Sequence, residues 1–259
     1  MAPDLGPVGE VDGDGWRQVL GLASAERPVA VIVEGTWWRE QRTRARLDRL
    51  EDVRELGVPD TFLGSASGRH LMYACPYGAP RTAEVVHIAA RAGAGLAIQL
   101  GSCGVLQDGV RPGDVVLPER ALGLDGVTSH YAEDLLSAAS SVWVERAHAS
   151  LAARDVGTHR GPTVTWPTLF SQPLERVRAW QAEGYLGVDM ETAATLAVAS
   201  RLGAAGVSLL VAWDELLAGR SFLDPLAPAE AAAFERSEDL IYEVALELVT
   251  AAADDRGGA

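Results

Sequence analysis

Three short, almost continuous apolar runs constrain the fold of this chain more than any other feature, and the first of them is rich in β-branched residues. They are Val29–Val33, Gly95–Leu100 and Ala205–Trp213. Runs that are apolar almost throughout, without a polar residue at every second position, are typical of strands buried on both faces. Helical patterns separate the runs along the chain. We therefore predict an α/β fold, a single domain with a mixed central sheet flanked by helices.

The predicted domain spans residues 1–259, with flexible tails at 1–13 and 253–259. A hydrophobic content of 48% is enough for a sizeable core in a chain of this length. The pattern between the first two runs predicts a charged surface helix over residues 39–56. The pattern after the third run predicts a long amphipathic helix near residues 227–252.

The charge balance and the cysteines limit the class of protein. The formal net charge is −14, so nucleic acid and anionic membrane surfaces are poor partners. All 22 basic residues other than histidine are arginines, which excludes a P-loop, Schiff-base or kinase lysine. Cys75 and Cys103 lie far apart and fit a reducing compartment. With no secretory signal and no long apolar run, we expect a cytoplasmic protein.

A carboxylate follows a short apolar segment near residue 190. Leu186 and Val188 lead into Asp189, Met190 and Glu191, and an alanine-rich helical pattern comes next. Open α/β sheets bind ligands at the carboxyl ends of their strands, where such a carboxylate would lie. The alternative is that Glu191 is a first-turn acid stabilised by the helix dipole.

A glycine-flanked segment, Gly101–Gly104, closes the second apolar run. We expect a turn whose backbone N–H groups converge on an anion, with the Ser102 hydroxyl added to them. An ordinary turn without a ligand is the alternative.

Six segments in this order resemble the nucleoside phosphorylase family, which contains bacterial purine nucleoside phosphorylase and uridine phosphorylase. The resemblance runs from about Val29 to Asp214 and weakly into the last helix. The segments are Gly101–Gly104, Gly113–Pro118, Asp125–Tyr131, Thr168–Phe170, Gly187–Glu191 and Val211–Asp214. The resemblance implies the fold of that family and cleavage of an N-ribosyl bond by attack of phosphate on the anomeric carbon.

The resemblance also implies roles for residues on the substrate side. Glu191 would accept hydrogen bonds from the ribose hydroxyls, and Met190 would pack beneath the sugar. Phe170 would stack on the base, unless it is an ordinary core phenylalanine. Ser102 and its neighbouring N–H groups would hold phosphate. The implied substrate-binding set is Asp189, Met190, Glu191, Phe170, Ser102, Cys103, Gly104 and, near the 5′ end of the sugar, His130.

By the same resemblance, Asp214 is the catalytic residue. Purine-specific members carry an acid after the last central strand, where it protonates N7 of the leaving base. The alternative is a helix N-cap, because aspartate is a favoured capping residue. Pyrimidine specialists carry a glutamine where this chain has Leu174, so the base is predicted to be a purine.

The nucleophile side departs from the family. The first loop keeps its glycine and arginine as Gly35 and Arg39, but the residues between them include Trp37 and Trp38. These indoles could line the site or an interface. The strand before the anion segment carries Gln99 where the family carries arginine, and glutamine cannot supply a permanent charge to phosphate.

Three hypotheses follow from these departures. In the first, a phosphorylase binds phosphate through Arg39, Ser102, backbone amides and an arginine from a neighbouring subunit. In the second, a nucleosidase uses water, with Glu34 as general base; a solvated acid at the strand end is the alternative for Glu34. In the third, the fold binds a nucleoside without turnover, although Glu191 and Asp214 together argue against this.

Other ligands are not indicated by the sequence. The five histidines are scattered without metal-ligand spacing, so we predict no metal site. No Gly-x-Gly-x-x-Gly segment follows a buried run, which argues against a Rossmann module. The expected partners are a nucleoside and phosphate as co-substrate, with no other cofactor. The resemblance implies a homo-oligomer, from dimer to hexamer.

Overall fold

A computed structural model describes residues 4–257 of the chain. The strands are β1 Ala30–Glu34, β2 Glu51–Glu55, β3 Thr61–Ala66, β4 Arg69–Ala74, β5 Leu96–Val105, β6 Val115–Gly123, β7 Leu136–Ala138, β8 Thr158–Thr165, β9 Gly187–Asp189 and β10 Ala205–Glu215. The helices are α1 Gly6–Gly9, α2 Gly13–Leu20, α3 Arg39–Leu47, α4 Ala79–Arg91, α5 Ser141–Ala152, α6 Leu174–Ala182, α7 Thr192–Arg201 and α8 Pro228–Gly257.

The strands form one mixed sheet, which confirms the predicted fold class. Strand β5 is central because it pairs in parallel with both β1 and β10. Strands β4, β3 and β2 continue outward from β1. On the other side the pairings close into a ring that runs from β5 through β10, β6, β8 and β9 and returns to β5. This closure brings the ends of distant segments together.

Alternate residues of β1 face different layers of helices. Ile32 packs in a core cluster that includes Tyr242 of α8, whereas Val31 and Val33 pack with Val86 of α4. Both faces of the strand are therefore buried, as the near-continuous apolar runs predict. Among the described residues, no helix is both long enough and apolar enough to cross a membrane.

The charged helix predicted over residues 39–56 is wrong in its second half. Helix α3 ends at Leu47, and Glu51–Glu55 forms the edge strand β2 against β3. Asp52 has a positive φ of 50°, and the strand pairing is irregular next to it. Four of the five residues of β2 are charged and nearly all of them are exposed, so the sequence of this edge strand resembles that of a charged surface helix.

The turn predicted at Gly101–Gly104 is also wrong. These residues are the second half of β5, and Gly101, Ser102 and Cys103 pair in register with Leu210, Val211 and Ala212 of β10. Gly104 pairs with Val188 of β9. Because β10 and β9 pair with this segment, it remains a strand even though its glycines favour a turn.

The ends of the chain are partly helical. Gly6–Gly9 forms the short helix α1, and α8 continues to Gly257, past its predicted end at residue 252. Residues 1–3 and 258–259 of the predicted tails lie outside the described residues.

Candidate active site

A cavity lies where five loops meet the end of β5. The loops follow β1, β4, β8, β9 and β10, so the cavity occupies the position expected for ligands in α/β sheets. Its lining residues are Gly35, Thr36, Trp37, Trp38, Tyr77, Ser102, Cys103, Gly104, Leu169, Gln172, Val188, Met190, Glu191, Trp213, Asp214 and Phe222. Seven of the sequence-predicted site residues meet here: Gly35, Ser102, Cys103, Gly104, Met190, Glu191 and Asp214.

Glu191 lies at the start of α7 but does not cap that helix. Its Oε1 instead accepts a hydrogen bond from the Gly78 N–H at 2.7 Å, and the side chain is 5% exposed. Burial, followed by the charge of Asp189, raises the pKa of Glu191 to about 8. A first-turn acid stabilised by the helix dipole would show a lowered pKa. The carboxyl group is instead a buried acceptor at the cavity wall, and its contact with ribose stays a prediction.

Gly35 has no room for a side chain. A Cβ on Gly35 would lie 2.6 Å from the carboxyl carbon and from Oε2 of Glu191. The Gly35 N–H donates to the Leu100 carbonyl at 2.9 Å, which holds the loop after β1 against β5. Position 35 therefore requires a glycine, because only a residue without a side chain lets the Glu191 carboxyl group approach the backbone this closely.

Asp189 does not line the cavity. Its Oδ2 accepts hydrogen bonds from the N–H groups of Glu191 at 3.1 Å and Thr192 at 2.7 Å, and its Oδ1 accepts one from the Thr165 hydroxyl. Asp189 therefore satisfies the first backbone donors of α7. This placement contradicts a direct role in substrate binding. Asp189 positions Glu191 and raises its pKa.

Asp214 presents a buried acid to the cavity. Its side chain is 8% exposed, and Oδ1 has no hydrogen-bond partner among the described residues. Burial, with a smaller contribution from the charge of Asp224, raises the pKa of Asp214 to about 7. Strand β10 continues through Asp214 to Glu215, so the residue does not cap a helix. An unpaired acid that titrates near neutrality is suited to proton transfer.

The end of β5 forms the floor of the cavity. Ser102 and Gly104 line it, and the Ser102 hydroxyl makes no hydrogen bond to the described residues. Cys103 is buried, and burial raises the pKa of its thiol, so this side chain is not a thiolate nucleophile. Met190 lies next to Glu191 in the lining, in agreement with packing against a sugar.

Glu34 faces away from the cavity. Its carboxylate accepts hydrogen bonds from Arg46 Nε and Nη2, both at 3.1 Å, and from the Tyr73 hydroxyl at 3.0 Å. Arg42 is a second arginine near this carboxylate, with its Nη1 3.5 Å from Glu34 Oε1. A carboxylate fully engaged by two arginines and a tyrosine has no free lone pair directed at a water in the cavity. The predicted general-base role of Glu34 is therefore contradicted.

Arg39 and Gln99 are also absent from the cavity lining. Arg39 Nε donates to the Cys75 carbonyl at 2.8 Å, and its Nη2 lies 3.2 Å from Asp60. Gln99 is fully buried, and its amide oxygen accepts hydrogen bonds from the hydroxyls of Thr192 and Ser208. Within this chain, therefore, neither Arg39 nor Gln99 reaches the cavity.

His130 and Phe170 differ in their relation to the cavity. His130 is exposed at the end of a short 3₁₀ helix and does not line it, so the predicted contact with the sugar is absent within one chain. Phe170 is 74% exposed and lies at the rim, with its ring centroid 5.6 Å from that of Trp37. The core alternative for Phe170 is therefore wrong.

Aromatic side chains surround the mouth of the cavity. Trp37 lies 6.3 Å from Tyr77 and 5.2 Å from Phe222, measured between ring centroids, and Trp38 lies 5.8 Å from Trp213. Trp37 and Trp38 thus line the site, which the sequence left open. Tyr77, Trp213 and Phe222 also line the cavity, although the sequence did not predict them there. For Trp213, its position directly before Asp214 was the available signal.

The lining contains two carboxyl groups and no arginine, lysine or histidine within the described part of the chain. The free volume is about 80 Å³, well below the roughly 300–1,000 Å³ of ligand pockets in general. The cavity is therefore smaller than a typical ligand pocket, and aromatic side chains surround its mouth.

The fold and the arrangement of Glu191 and Asp214 define an α/β protein with two buried carboxyl groups in a cavity at the ends of its strands. A family profile described as the phosphorylase superfamily matches residues 29–252. The chain therefore belongs to the phosphorylase superfamily. This family confirms the predicted resemblance, fold and class of enzyme, a nucleoside phosphorylase of the pentosyltransferase type.

Individual relatives are distant. The purine nucleoside phosphorylase DeoD-type of Alkaliphilus metalliredigens is 25% identical over 177 residues, which cover 67% of this chain and 76% of the relative. The guanosine phosphorylase of Halorubrum lacusprofundi is 28% identical over 144 residues, 55% of this chain and 59% of the relative. A crystal structure of uridine phosphorylase from Vibrio fischeri shares the fold, with a TM-score of 0.75, 22% identity and coverage of 93% of this chain and 95% of that one.

Proposed function

We propose that this enzyme cleaves the N-glycosidic bond of a purine nucleoside by phosphorolysis. Glu191 binds the ribose hydroxyls, Met190 packs against the sugar, and Asp214 donates a proton to the leaving base. The observation that carries the proposal is the buried, unpartnered carboxyl group of Asp214 in the same cavity as Glu191. The purine nucleoside phosphorylase and guanosine phosphorylase relatives support a purine as the base.

Proton donation by Asp214 lowers the barrier to departure of the base. When the C1′–N9 bond breaks, its electron pair moves into the purine, and protonation at N7 neutralises the charge that develops there. General acid catalysis of this kind contributes typically about 10²–10⁴-fold in rate. A carboxyl group with a pKa of about 7 is about half protonated at neutral pH and is acidic enough to donate.

Hydrolysis is the second candidate, because the lining supplies no cation for phosphate. Arg39 and Gln99 are engaged elsewhere, and β5 presents strand backbone rather than a turn of converging N–H groups. Phosphorolysis by this chain therefore requires rearrangement of Arg39 or a cationic group from a neighbouring subunit. Water needs no such partner, although the engaged Glu34 does not supply a base for it.

A single assay separates the two reactions. The protein is incubated with inosine, adenosine and uridine in buffers with and without phosphate, and free base is measured. We expect base release from the purine nucleosides only with phosphate, together with formation of ribose 1-phosphate. Equal release without phosphate would establish hydrolysis. Release of uracil alone would contradict the purine assignment, and no release from any nucleoside would contradict the proposed function.

The setting of the enzyme forms part of the same proposal. We infer a cytoplasmic homo-oligomer that uses phosphate as co-substrate and no other cofactor. Two observations support it: Cys75 and Cys103 are free thiols, as expected in a reducing compartment, and the cavity lacks the cation that a neighbouring subunit would supply.

A further inference from the structure

A single buried amide joins three elements that reach the cavity. Gln99 of β5 is fully buried, and its Oε1 accepts hydrogen bonds from the hydroxyl of Thr192 in α7, at 3.0 Å, and from that of Ser208 in β10. The second half of β5 forms the cavity floor, α7 begins directly after Glu191, and β10 continues to Asp214. The Gln99 amide therefore lies where the supports of the site meet.

The neighbouring carbonyl group fixes the orientation of this amide. Nε2 of Gln99 donates to the Leu100 carbonyl at 3.0 Å, and a carbonyl oxygen can only accept. Oε1 must therefore face the two hydroxyls, because the flipped amide would place oxygen against oxygen. A Cβ on Gly101 would lie 3.0 Å from Nε2, so this glycine of β5 leaves the room that the amide occupies.

The same amide connects to both sides of Glu191. The Leu100 carbonyl that accepts from Gln99 also accepts the Gly35 N–H at 2.9 Å, and Gly35 lies directly against the Glu191 carboxyl group. Thr192 immediately follows Glu191 in the chain, so its hydroxyl contact with Gln99 holds the backbone that carries this carboxyl group. Loss of the amide would loosen both supports at once.

We propose that Gln99 is a positioning residue, which acts on the ribose through Glu191. Its amide holds Gly35 and Thr192 in place, and these two residues hold the carboxyl group where the sugar hydroxyls bind. This inference rests on the proposed nucleoside-cleaving function and adds a residue to its sugar side. Gln99 is absent from the cavity lining, so it touches no substrate. A position that the family resemblance assigns to phosphate binding thus serves the sugar.

The test compares Gln99→Met with Gln107→Met in steady-state cleavage of inosine. Methionine is similar in length but lacks the amide donor and acceptor. We expect Gln99→Met to raise KM about tenfold and to change kcat less than about threefold, because ribose binding is shared by the ground state and the transition state. Gln107, which donates to the carbonyls of Gln181 and Tyr185 away from Glu191, is the matched control and should leave both constants unchanged.

A competitive inhibitor without sugar hydroxyls separates positioning from a general loss of structure. 2′,3′-Dideoxyinosine lacks both hydroxyls that Glu191 is proposed to bind, so its inhibition constant should change less than about twofold in Gln99→Met. If this constant rises as much as KM for inosine, the role is merely structural; the inference is overturned, and cleavage of inosine by the natural protein leaves the proposed function standing. If the natural protein releases no base from any nucleoside, both are overturned.

Two further variants decide the matter even if Gln99→Met does not fold. Thr192→Val removes the hydroxyl that Gln99 accepts from and should reproduce the rise in KM without a rise in the inhibition constant. Gln99→Glu should rescue binding at pH 6, with KM within about twofold of the natural value, because burial keeps the new acid protonated. The neutral acid has a carbonyl oxygen for the hydroxyls and an O–H for the Leu100 carbonyl. An unchanged KM in Thr192→Val, or no rescue in Gln99→Glu, would overturn the inference.

Discussion

At the scale of single residues, the contact between Gly35 and Glu191 joins the two halves of the site. The missing side chain of Gly35 lets the loop after β1 lie directly against the carboxyl group that is proposed to bind ribose. The Gly78 N–H fixes the same carboxyl group from another loop. Three segments that are distant in sequence therefore determine where the sugar binds.

We expect Gly35→Ala to impair sugar binding. The new Cβ would lie 2.6 Å from the Glu191 carboxyl group, so the carboxyl group or the loop must move. A displacement of about 1 Å in a positioning group can cost on the order of 10²-fold in rate. Steady-state kinetics should show KM raised at least about tenfold, with a far-ultraviolet circular dichroism spectrum like that of the natural protein. Gly109→Ala, at an exposed position where an added Cβ meets no atom within 4 Å, is the control. Unchanged kinetics in Gly35→Ala would contradict the role of this contact.

Asp214 should determine how activity depends on pH. Its pKa is raised to about 7, so the proton-donating form is lost as the pH rises through 7. We expect Asp214→Asn to lower kcat/KM for inosine by about 10²–10⁴-fold. The ratio of natural to variant kcat/KM should be constant below pH 6 and fall about tenfold for each unit above 7. A constant ratio up to pH 9 would exclude Asp214 as the acid.

The raised pKa of Glu191 implies a cost in stability at alkaline pH. Its pKa is about 8 in the folded protein and about 4.5 in the unfolded chain, so the carboxyl group stays protonated to a higher pH in the folded protein. Stability therefore falls as the pH rises from about 4.5 to 8, and it is not regained above that range. The folded and unfolded pKa values differ by about 3.5, and each unit of difference corresponds to about 1.4 kcal/mol, so the cost at pH 8.5 is on the order of 5 kcal/mol.

Glu191→Gln should remove this cost while keeping the acceptor for the Gly78 N–H. We expect Tm to rise by roughly 10 °C or more at pH 8.5, since 1 kcal/mol shifts Tm by roughly 2–4 °C for chains near this size. At pH 4.5 the two proteins should melt together. Differential scanning calorimetry checks this, with Glu183→Gln on the exposed surface as the control. A gain of equal size at both pH values would contradict an ionisation effect.

At the scale of secondary-structure elements, a buried ion pair connects β1, α3 and α8. Arg46 of α3 is 1% exposed and donates to Glu34 of β1, to Asp239 at 2.9 Å, and to the Glu238 carbonyl at 2.8 Å. Its guanidinium carbon lies 4.7 Å from the centre of the Tyr242 ring. Because Glu34 immediately precedes Gly35, this ion pair fixes the start of the loop that reaches the site.

Breaking this pair on one side should destabilise the protein strongly. Arg46→Met leaves the Glu34 carboxylate buried with weaker compensation from Arg42, and we expect a loss of about 3–5 kcal/mol in the free energy of unfolding. The double variant Glu34→Gln with Arg46→Met should recover part of that loss. Urea denaturation measures both, and Arg44→Met, which breaks an exposed pair with Glu40, should cost less than about 1 kcal/mol. Equal losses in single and double variants would contradict this account.

At the scale of the whole molecule, local patterns predicted the class of fold and only part of the site. The buried runs identified β1, β5 and β10 because burial on both faces removes the need for polar residues. The sequence missed β2 because four of its five residues are charged, and it missed the second half of β5 because its partner β10 lies far along the chain. Asp189 and Glu34 were placed in the site because sequence position does not reveal which way a carboxylate points. Asp189 accepts a hydrogen bond from Thr165, and Glu34 accepts hydrogen bonds from Arg46.

The pairing of β5 with β10 also sets the order in which the site forms during synthesis. Gln99 of β5 and Ser208 of β10 are hydrogen-bonded neighbours separated by 109 residues. At roughly 5–20 residues per second on the ribosome, β5 waits about 5–20 s for this partner to be made. Until then its glycine-rich second half has no strand beside it on that edge. A nascent chain that stops before β10 therefore exposes an unpaired strand edge, which makes premature termination a greater aggregation hazard than loss of the C-terminal residues.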